Sequence, residues 1–338
     1  MATIYDVARR AEVSPATVSR VVNGHANVDP ILVERVRRAM AELGYRPNAV
    51  ARNLRRSRTT LWAAIISDIG DPFYTAMVRG VEDAARPAGF SVVLCNTDDD
   101  EDKEGGYVDA ALAEQMAGVI VAPAGPVAPH VRRLLDARVP VVVVDRQPAE
   151  LRVDTVLVDN DLGAQAATAH LIESGYARIA CITGPATVST ATQRAQGYRA
   201  ALQEHGRPVD DALIRHADFR EEAGYDAMRA LLALPERPDA VFAAGNRLAL
   251  GALRCLGDRG VSVPGEVGLV GFDDLPWAAL IRPALTTVAQ PTYELGRSAA
   301  RLLAERIAEP SRPPSTITLA THLEIRDSSV RFGRGVAG

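Results

Sequence analysis

Ser14, Pro15, Ala16, Thr17, Ser19, Arg20 and Asn23 fall within one stretch, SPATVSRVVN, where every residue except the valines is small or able to hydrogen-bond. Val18, Val21 and Val22 recur at helical spacing, so a helix here buries the valines and turns the other residues outward. Low bulk at Pro15 and Ala16 lets such a helix come close to base edges in the major groove, and Arg20 can give a guanine two hydrogen bonds. That chemistry is recognition of duplex DNA. A plain pair of packed helices with a solvated face shares the local pattern, and the surrounding chain has to decide between the two.

Catalysis finds no comparable constellation. The chain has no Gly-rich phosphate loop, no nucleophile elbow and no His/Glu spacing suited to a metal. The acidic run Asp98–Asp102 lacks the glycine and terminal glutamate of a calcium loop and reads as a solvated loop. No enzymatic activity, metal or cofactor is expected.

The elements that must hold Arg20 are legible in the same region. Thr3 followed by Asp6 is a helix-start signature, and Ile4, Val7, Ala8 and Ala11 recur at helical spacing. Glu12-Val13 breaks the pattern, and Ser14-Pro15 restarts it with a capping hydroxyl and a proline at the first helical position. A third helix is predicted from about Ile31 to Leu43, ending at Gly44, with Ile31, Val33, Val36, Met40 and Leu43 packed on the first two. In YRPNAVARNLRR, Pro47 opens a short helix with Val50 and Leu54 on one side. Two turns are marginal in water, so this helix is expected to form only against phosphate and a partner chain, with Leu54 as an apolar wedge between base steps. The alternative for this segment is a linker with solubilising charge.

Charge supports the DNA reading. The net charge of −4 hides eleven arginines against five acids from Met1 to Thr60, a net of +6 that leaves −10 on the remainder. A basic head on an acidic body is the footprint of a nucleic-acid reader joined to something else. At 338 residues, 47% hydrophobic and 24% charged, the chain is expected to be a soluble protein of two or three domains. Its apolar runs are too short to span a bilayer, and no signal peptide precedes the first helix. Cys95, Cys181 and Cys255 lie far apart in apolar segments, which suits a reducing cytoplasm.

From Leu61 onward, strand-like runs (61–67, 91–95, 119–121, 139–144, 179–183, 240–243, 267–270) alternate with amphipathic helices (74–88, 104–116, 160–174, 193–205, 221–234, 248–259). This alternation implies parallel, doubly wound sheets with ligands at the carboxyl ends of the strands. The body is too long for one sheet of normal size, so two lobes with a cleft between them are expected. Pro310–Pro314 reads as a turn before the final strand-like pieces, and no internal repeat is evident.

These residues resemble the lactose-repressor (LacI/GalR) family of bacterial transcription regulators over nearly the whole chain. The resemblance is carried by TIYDVARRAEVSPATVSRVVN, YRPNAVARNL, DPFY at Asp71–Tyr74, TGP at Thr183–Pro185, GFDD at Gly271–Asp274 and PALTTVAQP at Pro283–Pro291. It implies an all-α helix-turn-helix DNA-binding head (1–46), a hinge helix and linker (47–60), and an α/β two-lobed core (61–338) like the periplasmic sugar-binding proteins. The lobes would comprise about 61–159 with 292–321, and 161–290 with 323–330. It also implies a cytoplasmic homodimer, nucleoid-associated when bound to a pseudo-palindromic operator. The chain shows no C-terminal heptad segment, which favours a dimer.

Position by position, the resemblance makes Pro15, Ala16 and Arg20 base-reading residues and Leu54 the minor-groove leucine. Thr3, Ser14, Thr17, Ser19, Asn23 and Tyr45 would mostly position phosphates, and Asn48 and Arg55 belong to the same DNA-binding set. In the cleft, Phe73 and Phe219 could sandwich a ring, and Asp145, Arg146, Arg194 and Asp273 could serve vicinal hydroxyls. Gln290 sits on a lobe crossing. The run Asp145-Arg146-Gln147 with Arg194 and Phe219 resembles ribose-binding and ribose-repressor proteins. Asp71 and Asn246 depart from that pattern and change the hydroxyl partners, while Val188 argues against a nucleobase. A sugar-like effector is therefore expected, ribose or another pentose favoured, with a nucleoside or disaccharide as alternatives. Core packing of Phe73 and Phe219, and a structural ion pair at Asp145 and Arg146, are the competing readings.

Overall fold

The structure, a computed structural model, describes residues 2–22, 28–45, 59–148 and 151–331. Asn23 and the hinge residues Asn48, Leu54 and Arg55 lie outside the described residues. The chain divides into two compact units, Met1–Thr59 and Thr60–Gly338.

In the first unit, α1 (Ile4–Ala11), α2 (Pro15–Val22) and α3 (Pro30–Glu42) enclose Val7, Ala8, Ala11, Val18, Val36 and Ala39. Thr3 and Asp6 cap α1 reciprocally, and Glu12 leaves the helix in a left-handed conformation at φ 52°. Arg35 reaches back from α3 to the Ala11 carbonyl at 2.6 Å, satisfying an orphan acceptor at the end of α1. Two packing expectations fail here. Ile31 is 70% exposed and Leu43 37% exposed. Counted from Val36, the buried stripe of α3 runs through Ala39 and Met40, and Ile31 lies some 140° away around the helix.

The second unit begins with β1 (Leu61–Ile66), α4 (Pro72–Ala85), β2 (Ser91–Asn96), α5 (Glu101–Ala113), β3 (Gly118–Val121), α6 (Pro129–Asp136), β4 (Val141–Val144) and β5 (Asp154–Val158). A second lobe follows in α7 (Asn160–Glu173), β6 (Ile179–Thr183), α8 (Ser189–Glu204), β7 (Ile214–His216), α9 (Glu221–Leu232), β8 (Ala240–Ala243), α10 (Asn246–Asp258), β9 (Gly268–Phe272) and β10 (Thr286–Ala289). Then α11 (Thr292–Ala308) and β11 (Thr316–Leu319) return to the first lobe, and β12 (His322–Glu324) to the second. Helix α6 escapes the sequence pattern because it sits among prolines, yet Pro129 at its first turn lacks an N–H that would be unpaired anyway.

The two sheets run in the orders β11-β5-β4-β3-β1-β2 and β12-β10-β9-β8-β6-β7. Strand for strand these are the same arrangement, so the lobes repeat one another although no repeat is visible in the sequence. The pattern of burial and the turn chemistry are shared, not the residues. In the first sheet Trp62, Ile66, Val142 and Val144 face one side while Ala63, Ile65, Val141 and Val143 face the other, as strands covered on both faces require.

The chain passes between lobes after β5, after β10 and after β11. The third passage departs from an all-parallel expectation: β12 pairs antiparallel to β10. Only two residues separate β11, parallel to β5 in the first lobe's sheet, from β12, antiparallel to β10 in the second lobe's sheet. The strand therefore runs straight on from one lobe into the other and away from the cleft. Glycines let two helices touch at their backbones: a methyl group at Gly80 of α4 would collide with the Tyr293 carbonyl, and one at Gly296 of α11 with that of Met77.

Candidate ligand cleft and nucleic-acid interface

All nine residues that the sequence assigns to a ligand site line one cavity of about 570 Å³ between the carboxyl ends of the two sheets. Asp145 and Asp273 hold equivalent places in the two lobes. Each follows a central strand, β4 or β9, in the left-handed region at φ 65° and 75°, a conformation that Asp tolerates better than most residues. Their N–H groups donate to Val156 (3.1 Å) and Val288 (2.9 Å) on the neighbouring strands.

Asp145 is buried and accepts the Tyr74 hydroxyl at 3.0 Å. Its neighbour Arg146 bonds Asp99 at 2.6 Å, while its Nε lies 3.7 Å from Asp145, beyond hydrogen-bond length, and has no hydrogen-bond partner among the described residues. The Asp145–Arg146 pair thus is an ion pair at a strand end and also faces the cavity. Arg194 of α8 donates to Asn160 (2.8 Å) and to the Ala244 carbonyl (2.9 Å), and its guanidinium lies 3.7 Å from the Phe272 ring centroid. Gln290 donates to Asp273, leaving its Oε1 buried and unpartnered among the described residues.

Phe73 belongs to the first lobe's core and meets Tyr74 edge-on, 5.0 Å between centroids. Only its cavity-facing edge remains for a ligand. Phe219 is half-buried over Gly184, where a side chain would collide with its ring. Asn246 spans the cleft: its side chain donates to Asp71 at 2.9 Å, and its backbone N–H to Asp273 at 3.3 Å. Arg247 pairs with Asp68 at 2.8 Å, and Gln147 N–H donates to Ser189 at 3.1 Å. The lobes are therefore stapled across the mouth.

Several lining residues escape sequence reading, among them Tyr74, Asp98, Asp99, Arg220 and Arg247. The acidic run Asp98–Asp102 is exposed as expected, but only its first part is a loop: Asp100 caps α5, Glu101 and Asp102 open it, and Asp98 and Asp99 form part of the cavity wall. Helices α4, α5 and α8 start two to four residues before the hydrophobic pattern does. Within those early first turns Phe73 of α4 and Thr190 of α8 line the cavity, whereas α5 contributes none of its first turn.

Electrostatics follow from burial. Desolvation raises the Asp145 carboxyl against the pull of Arg146 and Arg194. Burial opposes the Arg146 charge, but Tyr74, Asp99 and Asp145 outweigh it and raise its pKa. The Asp273 carboxyl is pushed up to about 6 by burial, with Arg194 and Gln290 countering and Asp71 and Asp145 reinforcing. The folded state thus holds this proton more tightly than the unfolded chain. Its stabilising contribution is full below about pH 4 and lost as pH rises through 6. Asp273→Asn is expected to raise the core's melting temperature at pH 7–8, by at most about 3 kcal/mol in free energy, with the gain shrinking toward pH 5. A gain that is constant over that range in calorimetric scans would show that another group titrates.

In the head, Ser14 accepts the Thr17 N–H at 3.1 Å and bonds the Thr17 hydroxyl at 2.9 Å, so it caps the start of α2. Pro15, Ala16 and Arg20 are exposed, whereas Thr17 and Ser19 are half-buried. Thr3 is exposed at the start of α1, and Tyr45 packs partly against the head's core. The outward face of α2 is therefore small apart from Arg20.

Residues 3–48 match the family model described as bacterial regulatory proteins, lacI family, and residues 60–325 match that of periplasmic binding proteins and sugar binding domain of LacI family. The chain is 36% identical over 331 residues to the ribose operon repressor of Escherichia coli strain K12, covering 97% of this chain and 100% of that protein. Among solved structures it resembles a transcriptional regulator CelR–cellobiose complex at 38% identity, covering 97% of this chain and 100% of that one, with a TM-score of 0.74. It also resembles the lac repressor dimer bound to operator and the anti-inducer ONPF at 26% identity, covering 98% and 99%, with a TM-score of 0.86.

Proposed function

Because the chain belongs to the LacI family of bacterial regulatory proteins, we propose that it represses transcription as a cytoplasmic homodimer on a pseudo-palindromic operator, controlled by a sugar in the inter-lobe cleft. The family consists of DNA-binding transcriptional regulators with a periplasmic-binding-protein-like core, not of enzymes. The observation that carries the sugar reading is the convergence of Asp145, Arg146, Arg194, Asn246, Asp273 and Gln290 on one cavity that Phe73 and Phe219 also line. Charged forks and an amide serve paired hydroxyls, and aromatic rings serve the apolar C–H faces of a sugar.

A pentose is the first reading, supported by this floor of the cavity and by the relative that is a ribose operon repressor. A disaccharide is the second. At ~30 Å³ per water, the 570 Å³ cavity holds about 19 water volumes, against roughly ten heavy atoms in a pentose, and one similar structure is a cellobiose complex.

Two ligand-facing groups sit on the passages between lobes. Arg194 bonds Asn160, which opens α7 directly after the first passage, and Gln290 stands on the second. A ligand bound better in one closure state shifts the population of that state. In our reading this rotates the lobe next to the hinge segments and alters the spacing of the paired heads. Dimerisation is supported by exposed Ile69, Leu94 and Leu280, Leu94 lying on the edge strand β2.

Gel retardation with DNA upstream of the protein's own gene, with and without a panel of pentoses, hexoses, disaccharides and nucleosides, tests the reading. A shift that responds to one sugar supports it. No shift at low salt sinks the regulator role for that DNA, and a shift indifferent to every compound sinks the sugar switch. Arg20→Ala should weaken operator binding about 10- to 100-fold per half-site, the worth of one bidentate base contact. It should leave sugar binding by the core unchanged in calorimetry.

A further inference from the structure

We propose that the cleft accepts only uncharged sugars and rejects their phosphate esters. This rests on the carbohydrate reading above. Seven carboxylates but only four arginines line the cavity. Three of those arginines are engaged within the protein: Arg146 with Asp99, Arg194 with Asn160 and the Ala244 carbonyl, and Arg247 with Asp68. The fourth, Arg220, is exposed at the rim, where its charge acts on Asp98. A phosphoryl group entering here would have to break an existing pair or compete with Asp98.

Helix N-termini are the other usual anion sites, and here carboxylates hold them. Asp71 accepts the Phe73 N–H at the start of α4, Asp273 the Asn246 N–H at the start of α10, and Asp100 two N–H groups at the start of α5. Helix α9 opens with Glu221 and Glu222. The exception is α8, which starts at Ser189 without a side-chain cap. Two lining residues carry buried polar atoms without a partner among the described residues, the Gln290 Oε1 and the Arg146 Nε–H, and these suit the acceptor and donor needs of a neutral hydroxyl.

The test is titration calorimetry on the full chain at low and moderate salt. The probes are D-ribose, D-xylose, L-arabinose, D-glucose and cellobiose, together with ribose 5-phosphate and glucose 6-phosphate. The sugar that binds should lose about 100-fold in affinity on phosphorylation, as an unpaired like charge costs across an interface. That gap should narrow at higher salt, because rim charges are screened, and in Asp98→Asn. A phosphate ester that binds as well as its parent sugar overturns the proposal. So does a gap insensitive to both salt and Asp98→Asn, which would be steric. If no sugar of either kind binds, the carbohydrate reading itself falls. Binding of the ester alone would keep that reading and refute this one.

Discussion

Arg194→Ala is expected to abolish the effector response while leaving operator recognition in place. Arg194 is 5% exposed. Its guanidinium ties Asn160, at the first passage between lobes, to the Ala244 carbonyl beside the cavity floor. It also opposes the charges of Asp273 and Asp145, although its own burial weakens its hold on the proton. Truncation leaves Asp145 with Arg146 alone and removes the cation that lowers the Asp273 carboxyl, and it takes the donor from Asn160 and from the Ala244 carbonyl. Removing one partner of such a network costs about 3–5 kcal/mol of stability, partly offset because the carboxyls can protonate. On the proposed reading, in which the same cation serves the ligand's hydroxyls, ligand affinity should fall by more than about 100-fold. The head has its own core and is a separate compact unit, so the operator shift without ligand should persist. A melting curve beside the gel separates loss of the switch from loss of the fold. A normal ligand response in Arg194→Ala would exclude this residue from the pocket.

The second large effect lies far from the cavity. Asp154 opens β5 with a fully buried side chain and accepts from Arg306 and Arg312, each at 2.8 Å, and from the Ser315 N–H at 2.9 Å. Those donors bracket the proline-rich turn between α11 and β11, so one carboxylate fixes the register in which β11 pairs with β5. Asp154→Ala deprives two half-buried guanidinium groups of their carboxylate, leaving them only backbone carbonyls and the Ser315 hydroxyl, and should cost up to about 3–5 kcal/mol, lowering the melting temperature by roughly 10 °C. A triple variant that also replaces Arg306 and Arg312 with methionine should recover part of that loss, because the penalty lies in cations left without their carboxylate. Equal melting temperatures for wild type and Asp154→Ala would show that the turn is held by other contacts.

Much of this protein is legible along the chain itself. Thr3 with Asp6 and Ser14 with Pro15 place helix starts by purely local hydrogen bonding, and the alternating apolar runs after Leu61 announce strands and helices. Most of the nine cavity residues fall in a turn next to a strand or helix end, or on a passage between lobes, and the family resemblance supplies Arg194, which lies inside α8. What local pattern does not carry is partnership. Periodicity encodes which side of an element is buried but not what buries it. So it places Ile31 on the wrong side of α3, and it takes the acidic loop for solvent alone. Only the tertiary structure brings Asn246 onto Asp71 from 175 residues away, turns Asp145 and Asp273 through a left-handed bend into one cavity, and repeats one strand order in two unlike sequences. It also desolvates Asp273 until its carboxyl titrates near 6. Sheet order and burial of charge are decided by long-range packing, where the free energy depends on all the elements at once and no short stretch of sequence records it.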